Sequence, residues 1–160
     1  MVSSERIICR QREELDEEFI RLFAETSCQG QEITAARSQR LRDFLQAPEP
    51  ALFVLVLQGE CLVGKAALFI SPSDPQRAAL GCYEVQSSPE RQRLAFLLLA
   101  QVTQWARVRA VKRIYGPIDR NTWYSYRVRT DGESESFAWE PNRNAELLED
   151  WHKADEILRT

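Results

Sequence analysis

The sequence has very little of what metal-dependent and nucleophilic enzymes need. It contains a single histidine, His152. Its cysteines, Cys9, Cys28, Cys61 and Cys82, include no closely spaced pair, whereas zinc sites usually take their ligands in close pairs. No nucleophile elbow accompanies the histidine. These absences argue against a metal centre and against hydrolases of the Ser-His-Asp or Cys-His kind.

Long apolar runs and an excess of positive charge are also missing. No run approaches the roughly 20 apolar residues that span a bilayer, and the charged N-terminus has no apolar core of a secretory signal. The 21 Lys and Arg against 24 Asp and Glu give a net charge of -3, which exerts no general attraction on nucleic acid. We therefore expect a cytoplasmic protein with reduced thiols that binds neither nucleic acid nor membrane.

What is present is the pattern of a globular domain. The hydrophobic content of 44% and the charged content of 28% are ordinary for such a domain. The β-branched and aromatic runs predict five strands, at residues 4–10, 51–58, 61–70, 78–85 and 113–117. Helical spacing predicts four helices, at residues 12–27, 34–46, 89–112 and 144–154. Because no linker or repeat interrupts this pattern, we expect residues 1–160 to form one α+β domain, with helices flanking a mixed, mostly antiparallel sheet in three layers.

Two details of the pattern concern packing. The long helix at residues 89–112 carries an apolar stripe, which predicts burial against the sheet. Gly64 stands inside a strand, which indicates a bulge or a close approach of another backbone. The stripe consists of Leu94, Leu98, Val102, Trp105 and Val108.

The predicted element order resembles the fold of the GNAT acetyltransferase family. In that family the strand that corresponds to residues 78–85 leads into a phosphate-binding turn, and the long helix follows. Unpaired backbone N–H groups and the helix dipole bind a cofactor pyrophosphate there. The resemblance therefore implies acetyl-CoA, or another acyl-CoA, as the cofactor.

Two further motifs resemble one bacterial branch of the same family. The sequence GPIDRNTWYSYR at residues 116–127 matches a pattern of Gly-Pro, Thr-Trp and Tyr-Arg. The sequence FAWEPN at residues 137–142 matches a later element of an aromatic residue, Glu-Pro and Asn. The segment that ends at Ala154 resembles the last helix of that branch. The resemblance covers residues 50–154.

The turn before the long helix departs from the family pattern, which is Arg or Gln, two residues, Gly, one residue, and Gly or Ala. Aligned on Pro89, Gln92 takes the Arg or Gln position, and Arg93, Ala95 and Leu97 stand where small residues are expected. We expect the larger side chains to crowd a pyrophosphate, while the arginines of the turn attract it by charge. The resemblance assigns cofactor binding to Val85, Arg91, Gln92, Arg93, Leu94 and Ala95.

Acyl transfer to an amine needs a base for the ammonium and a proton donor for the leaving thiolate. The resemblance implies Glu84 as the base; the alternative is a surface carboxylate without a catalytic role. The family's proton-donating tyrosine falls in the last helix, where this sequence has Trp151, whose indole is a poor proton source. Tyr124 or Tyr126 could replace it, and His152 could also transfer protons. We take Glu84 and Tyr126 as the catalytic candidates.

A polar and aromatic cluster within residues 121–127 is the candidate acceptor site. Aromatic side chains can line a pocket, and Arg127 can hold a carboxylate or a phosphate in a bidentate manner. Glu140 could pair with Arg127 or with a substrate amine. The alternative is purely structural, with packed aromatics and an internal ion pair. The candidates are Asn121, Thr122, Trp123, Tyr126, Arg127 and Glu140.

Two functions remain open at this point. The first is an N-acyltransferase that moves an acyl group, acetyl before others, from CoA to an amine of a small molecule or a protein. The second is a catalytically degenerate module of the same fold that binds a ligand or a partner protein without acyl transfer. Residues 156–160 could supply only part of the strands that usually complete the fold. We therefore expect an open sheet edge that pairs with a second copy or a partner protein.

Overall fold

The computed structural model describes residues 5–28, 33–48, 50–70 and 74–118. These residues form five strands and three α-helices, with a short 3-10 turn at Arg12–Glu14. The elements are β1 (Glu5–Gln11), α1 (Glu17–Glu25), α2 (Ala35–Leu45), β2 (Ala51–Gln58), β3 (Cys61–Ile70), β4 (Arg77–Val85), α3 (Arg91–Val108) and β5 (Arg113–Ile118).

The strands form one sheet in chain order, β1-β2-β3-β4-β5. Each of the first four strands pairs antiparallel with its neighbour, and β5 pairs parallel with β4. A parallel pair requires a crossover connection, and α3 is that connection. The prediction of a mixed, mostly antiparallel sheet with flanking helices is confirmed.

Two apolar cores lie on opposite faces of the sheet. On one face, Val54 of β2 packs in the cluster that contains Leu94 and Leu98 of α3. On the other face, Phe53 of β2 packs in the cluster that contains Phe23 of α1 and residues of α2. Because β2 is buried on both faces, its sequence ALFVLVLQ is a continuous apolar run rather than an alternating one.

The α1 and α2 layer is built around phenylalanine rings. Phe44 of α2 makes edge contacts with Phe53 and Phe69, with ring centroids 5.9 and 4.9 Å apart. The Arg12 guanidinium lies over the rings of Phe44 and Phe53 and donates to the carbonyls of Phe44 and Leu45 at 2.6 and 2.8 Å. Arg12 thus places a positive charge at the negative C-terminal end of α2.

The single helix predicted at residues 12–27 is wrong in its first part. The chain makes the 3-10 turn, passes through extended Leu15, and starts α1 only at Glu17. The side chain of Asp16 accepts a hydrogen bond from the backbone N–H of Phe19 at 2.8 Å. This cap satisfies one of the N–H groups that a helix start leaves without a partner, so α1 begins after Asp16.

The prediction for α3 is confirmed except at its end. Leu94, Leu98 and Val102 are buried, but Val108 is 83% exposed. The buried stripe closes on Ala106 instead, four residues after Val102. The helix ends at Val108 because Ala110 takes a positive φ of 59°, which turns the chain towards β5.

Gly64 lies beside the predicted bulge, and the group that approaches it closely is a side chain rather than another backbone. A Cβ atom on it would lie 3.0 Å from the Leu98 Cδ1 atom of α3. The β2–β3 register also shifts beside it, since Val56 pairs with Gly64 while Leu57 pairs with Leu62. Gly64 therefore allows α3 to approach the sheet closely next to a bulge.

The predicted helix at residues 144–154 and everything else from residue 119 onward lie outside the described residues. Residues 29–32, which follow the first predicted helix, lie outside them as well. Within the described ranges, no helix combines the length and the apolar character needed to cross a bilayer.

Candidate functional site

The last part of β4 is bulged. Lys65 of β3 pairs with Glu84 and Ala67 pairs with Gly81, so β4 has one residue more than β3 between these pairs. Cys82, inside the bulge, has a φ of 53°, which residues other than glycine seldom adopt. Bulges of this kind redirect the side chains that follow them and often lie next to functional sites.

The turn from β4 into α3 leaves two backbone donors available. Ser88 satisfies two N–H groups, since its Oγ accepts from Glu90 N–H at 3.2 Å and its carbonyl accepts from Arg91 N–H at 3.1 Å. The next two N–H groups, of Gln92 and Arg93, have no acceptor among the described residues. Donors of this kind at a helix N-terminus favour an anion.

Charged side chains surround these donors. The Arg93 guanidinium pairs with Glu5 of β1 and, at 3.0 Å, with Glu90, which immediately precedes α3. The Gln58 side-chain amide donates to Glu5 at 3.1 Å and to Glu90 at 3.0 Å. The hydrogen bond from Arg93, and after it that from Gln58, lowers the pKa of Glu5 to about 2. We call these residues the Glu5–Arg93–Glu90 cluster.

The residues predicted to bind the cofactor fall into two groups. The side chains of Val85, Leu94 and Ala95 are buried in the core beneath α3, so only their backbone can face a ligand. The side chains of Gln92 and Arg93 are exposed, and that of Arg91 is half-buried. Leu97, expected to crowd a pyrophosphate, packs against the apolar core instead.

Glu84, the predicted base, points to the face opposite Tyr83 and Val85, as the sequence predicts. Its Oε1 atom accepts from the Ser27 hydroxyl at 2.8 Å and from the Cys28 backbone N–H. Its Oε2 atom lies 4.0 Å from Lys65 Nζ. Glu84 therefore joins β4 to the segment that follows α1, and its side chain is still 20% exposed.

Lys65 is the charged neighbour of Glu84 that sequence reasoning missed. It is only 1% exposed, and its ammonium donates to the carbonyls of Phe23 and Thr26 at 3.1 and 3.0 Å. These carbonyls end α1, which has no basic residue in its own last turn. Lys65 thus supplies a positive charge where the helix dipole favours one. The available signal was a lone charge inside the apolar strand CLVGKAALFI.

Cys28 lies beside this pair in surroundings that disfavour its thiolate. Its side chain is buried, and its Sγ atom lies 3.8 Å from the Glu84 carbonyl oxygen. Burial, and after it the Glu84 carboxylate, raises the pKa of the Cys28 thiol well above its usual value. A thiol held in its protonated form reacts poorly.

The predicted acceptor residues, with Tyr126 and Glu140 among them, lie outside the described residues, as do Tyr124, Trp151 and His152. Their positions stay predictions. A shallow pocket of about 370 Å³, lined by Asp74, Gln76, Arg77 and Lys112, lies at the start of β4 and β5. It is at the opposite end of β4 from the α3 N-terminus, so it does not belong to the same site.

Comparisons with known proteins agree with this fold. Residues 12–121 match the model of the acetyltransferase (GNAT) family. The fold is similar to that of an aminoglycoside acetyltransferase from an uncultured soil metagenomic sample, solved with trehalose, at 15% identity, a TM-score of 0.52 and coverage of 85% of this chain and 93% of that one. It is also similar to a probable acetyltransferase, at 20% identity, a TM-score of 0.51 and coverage of 84% and 91%. No curated protein matches the sequence.

Proposed function

Because this chain belongs to the GNAT acetyltransferase family, we propose that it is an N-acyltransferase that moves an acyl group, acetyl before others, from CoA to an amine. The observation that carries the proposal is the start of α3. There the bulged strand β4 leads into a helix whose Gln92 and Arg93 N–H groups are available to an anion. The acceptor is an amine of a small molecule or of a protein.

The donors at the start of α3 suit the pyrophosphate of an acyl-CoA. Two backbone N–H groups, the helix dipole and the guanidinium groups of Arg91 and Arg93 supply positive potential. The Glu90 carboxylate opposes it but is itself paired with Arg93. The donor set therefore fits the group, with an affinity that the acidic residues reduce. When bound, the cofactor supplies the activated acyl thioester.

Within this proposal Glu84 accepts the proton that the acceptor amine must lose. Its Oε1 atom is fixed by Ser27 and Cys28, while Oε2 stands 4.0 Å from Lys65, beyond hydrogen-bond distance. Oε2 thus keeps lone pairs for a proton, on a carboxylate that is held in place. Tyr126 is proposed to protonate the leaving thiolate. The proposed acceptor residues are Asn121, Thr122, Trp123, Tyr126, Arg127 and Glu140.

Titration calorimetry with acetyl-CoA and desacetyl-CoA tests cofactor binding first. We expect micromolar affinity; no heat up to millimolar cofactor would retire the proposal. Release of free CoA is then measured with a panel of amines. The panel includes an aminoglycoside, because one structural neighbour is named as an aminoglycoside acetyltransferase.

The Glu84→Gln variant separates binding from chemistry. It is expected to bind acetyl-CoA as the parent does, while CoA release falls about 10²- to 10⁴-fold, the usual contribution of a general base. Glu60→Gln, an exposed carboxylate in the β2–β3 turn, is the matched control and should change neither quantity. Equal CoA release by the Glu84→Gln variant and the control would remove Glu84 from the mechanism.

The second candidate function is a degenerate module that binds a ligand or a partner without acyl transfer. The observation that favours it is Arg93, which stands where a small residue is expected in the family and pairs with Glu5 and Glu90. Cofactor binding without CoA release for any amine in the panel would favour this second function.

We also propose that the protein is cytoplasmic and that an open sheet edge pairs with a second copy or a partner protein. All four cysteines are thiols rather than disulfides, in keeping with a reducing compartment. Analytical ultracentrifugation tests the association, and a strictly monomeric species at high protein concentration would contradict it.

A further inference from the structure

The Glu5–Arg93–Glu90 cluster joins three elements at the start of α3. Glu5 lies at the beginning of β1 and Gln58 at the end of β2. Glu90 immediately precedes α3, and Arg93 is its third residue. Arg93 pairs with both carboxylates, and Gln58 donates to both. Two carboxylates against one guanidinium leave the cluster with one net negative charge.

This negative charge lies where an anionic ligand is expected to bind. The backbone N–H of Arg93 is one of the two N–H groups without an acceptor among the described residues, and Glu90 occupies the N-cap position of α3 without a side-chain cap hydrogen bond. A carboxylate in this position gains from the positive end of the helix dipole. A phosphate arriving at the same helix end would draw on the same field and on the same guanidinium.

We propose that Glu5 and Glu90 act as an internal anion that competes with the cofactor pyrophosphate for Arg93 and for the N-terminus of α3. The inference rests on the proposed function, because it concerns the same site. Arg93 carries five N–H donors in a planar fork, so it can exchange a carboxylate partner for a phosphate without leaving the turn. The strength of cofactor binding is then set by two acidic residues that have no part in the chemistry.

The two carboxylates are held differently. The Glu5 side chain is 11% exposed and is anchored by β1, whereas the Glu90 side chain is 46% exposed. The pKa of Glu5, about 2, keeps this carboxylate negative at neutral pH. Glu90 is therefore the partner that Arg93 releases more readily, and Glu5 keeps Arg93 in reach of the turn.

Inorganic pyrophosphate and CoA, titrated separately by calorimetry, test the inference without any assay of activity. Glu90→Gln keeps the shape of the side chain and removes its charge. We expect it to lower the dissociation constant of pyrophosphate about two- to fivefold, which is the usual effect of one charge near a helix N-terminus. Glu5→Gln should act in the same direction, and Arg93→Gln should weaken binding. Glu60→Gln, with the same charge change in the β2–β3 turn, is the matched control.

Circular dichroism and thermal melting establish that each variant is folded, and Glu90→Gln is decisive because its side chain is the most exposed of the cluster. Acidic variants that bind pyrophosphate no tighter than Glu60→Gln would overturn the inference, as would Arg93→Gln with unchanged affinity. Absence of pyrophosphate binding in every variant would overturn it as well.

The two proposals fail in different ways. If CoA binds to all variants equally, the acyltransferase proposal stands and the competition by Glu5 and Glu90 is wrong. If pyrophosphate binds more tightly to Glu90→Gln while CoA binds to no variant, the inference stands and the use of acyl-CoA is wrong.

Discussion

The buried Lys65 ammonium connects β3, the end of α1 and the Glu84 carboxylate of β4. It holds two carbonyls at the end of α1 and faces the Glu84 carboxylate. Lys65→Ala leaves the buried Phe23 carbonyl and the partly buried Thr26 carbonyl without their donor. We expect a loss of about 3–5 kcal/mol in the free energy of unfolding, as for a broken buried pair. Urea denaturation followed by circular dichroism measures it.

The matched control for this prediction is Lys112→Ala, which removes an exposed ammonium. The double variant Lys65→Met with Glu84→Gln should recover part of the loss, because it removes both charges and keeps the side-chain volume. A loss below about 1 kcal/mol for Lys65→Ala, the level of an ordinary surface pair, would contradict this account.

Thiol reactivity gives a second test at the scale of residues. Burial raises the pKa of Cys9, and burial together with the Glu84 charge raises that of Cys28, whereas Cys61 is exposed. Iodoacetamide at mildly alkaline pH should therefore modify Cys61 first and Cys28 only after unfolding. Peptide mass spectrometry follows each site, and Cys61→Ser should abolish the fast reaction. Equal rates at Cys28 and Cys61 in the folded protein would refute the prediction.

The loss of stability in acid tests the pairing of the Glu5 carboxylate with Arg93. The pKa of Glu5 falls from 4.5 to about 2 in the folded protein, so the folded state binds a proton on this carboxylate less tightly than the unfolded chain does. The stabilisation is therefore present above pH 4.5 and is lost as the pH falls towards 2. Melting temperatures between these values should fall more steeply for the parent protein than for Glu5→Gln. Glu60→Gln should keep the parent slope, and identical slopes for all three proteins would disprove the Arg93 pairing.

At the scale of elements, the contact between β3 and α3 depends on Gly64. Its missing Cβ would stand 3.0 Å from Leu98, a side chain that is fully buried and has little room to move. Gly64→Ala should therefore cost about 1–3 kcal/mol in the free energy of unfolding, the usual range for overpacking. Gly59→Asn is the control, since Gly59 has a φ of 60°, no neighbour within 4 Å and a conformation that asparagine tolerates. If both variants unfold at the same urea concentration, the close approach has no energetic weight.

Elements whose identity is set by local composition were predictable. The bounds of β2 and β3, residues 51–58 and 61–70, are confirmed because apolar runs lie between prolines and a tight turn. The start of the first helix was not predictable, because the apolar spacing of Leu15, Phe19 and Phe23 continues without interruption. The N-cap at Asp16 nevertheless starts α1 only at Glu17. Val108 was assigned to the buried stripe because helical spacing gives a face but not the residue at which the helix leaves the sheet.

The candidate site was predictable to a similar, partial extent. A predicted strand, then Pro89, then an apolar helical stripe follow one another along the chain and predict a turn before α3. The structure has this turn between β4 and α3. The partners of Arg93 could not be read in the same way, since Glu5 is 88 positions away along the chain. The pairing of Lys65 with Glu84 depends on the strand register, which the sequence alone does not fix.

At the scale of the whole molecule, the layers predict an order of backbone protection. Strands β2 and β3 are hydrogen-bonded on both edges and covered on both faces, whereas β1 has β2 as its one neighbour among the strands that the structure describes. Hydrogen exchange followed by mass spectrometry should therefore find the slowest amides in residues 52–57 and 65–69 and faster exchange in β1. Protection in β1 equal to that in β3 would indicate that its outer edge is covered.

A ribosome delivers this chain from its N-terminus, and the strands lie side by side in the order in which they are made. Strands β2 to β4 can therefore each join the preceding strand on emergence, while α1 and α2, made before β2, already cover one face. The opposite face, with Val54, Leu68 and Leu80, takes its helical cover from α3 within the described part of the chain, and α3 is synthesised after these strands. In that interval the nascent protein exposes a broad apolar surface, which makes it the stage at which a chaperone has most to shield.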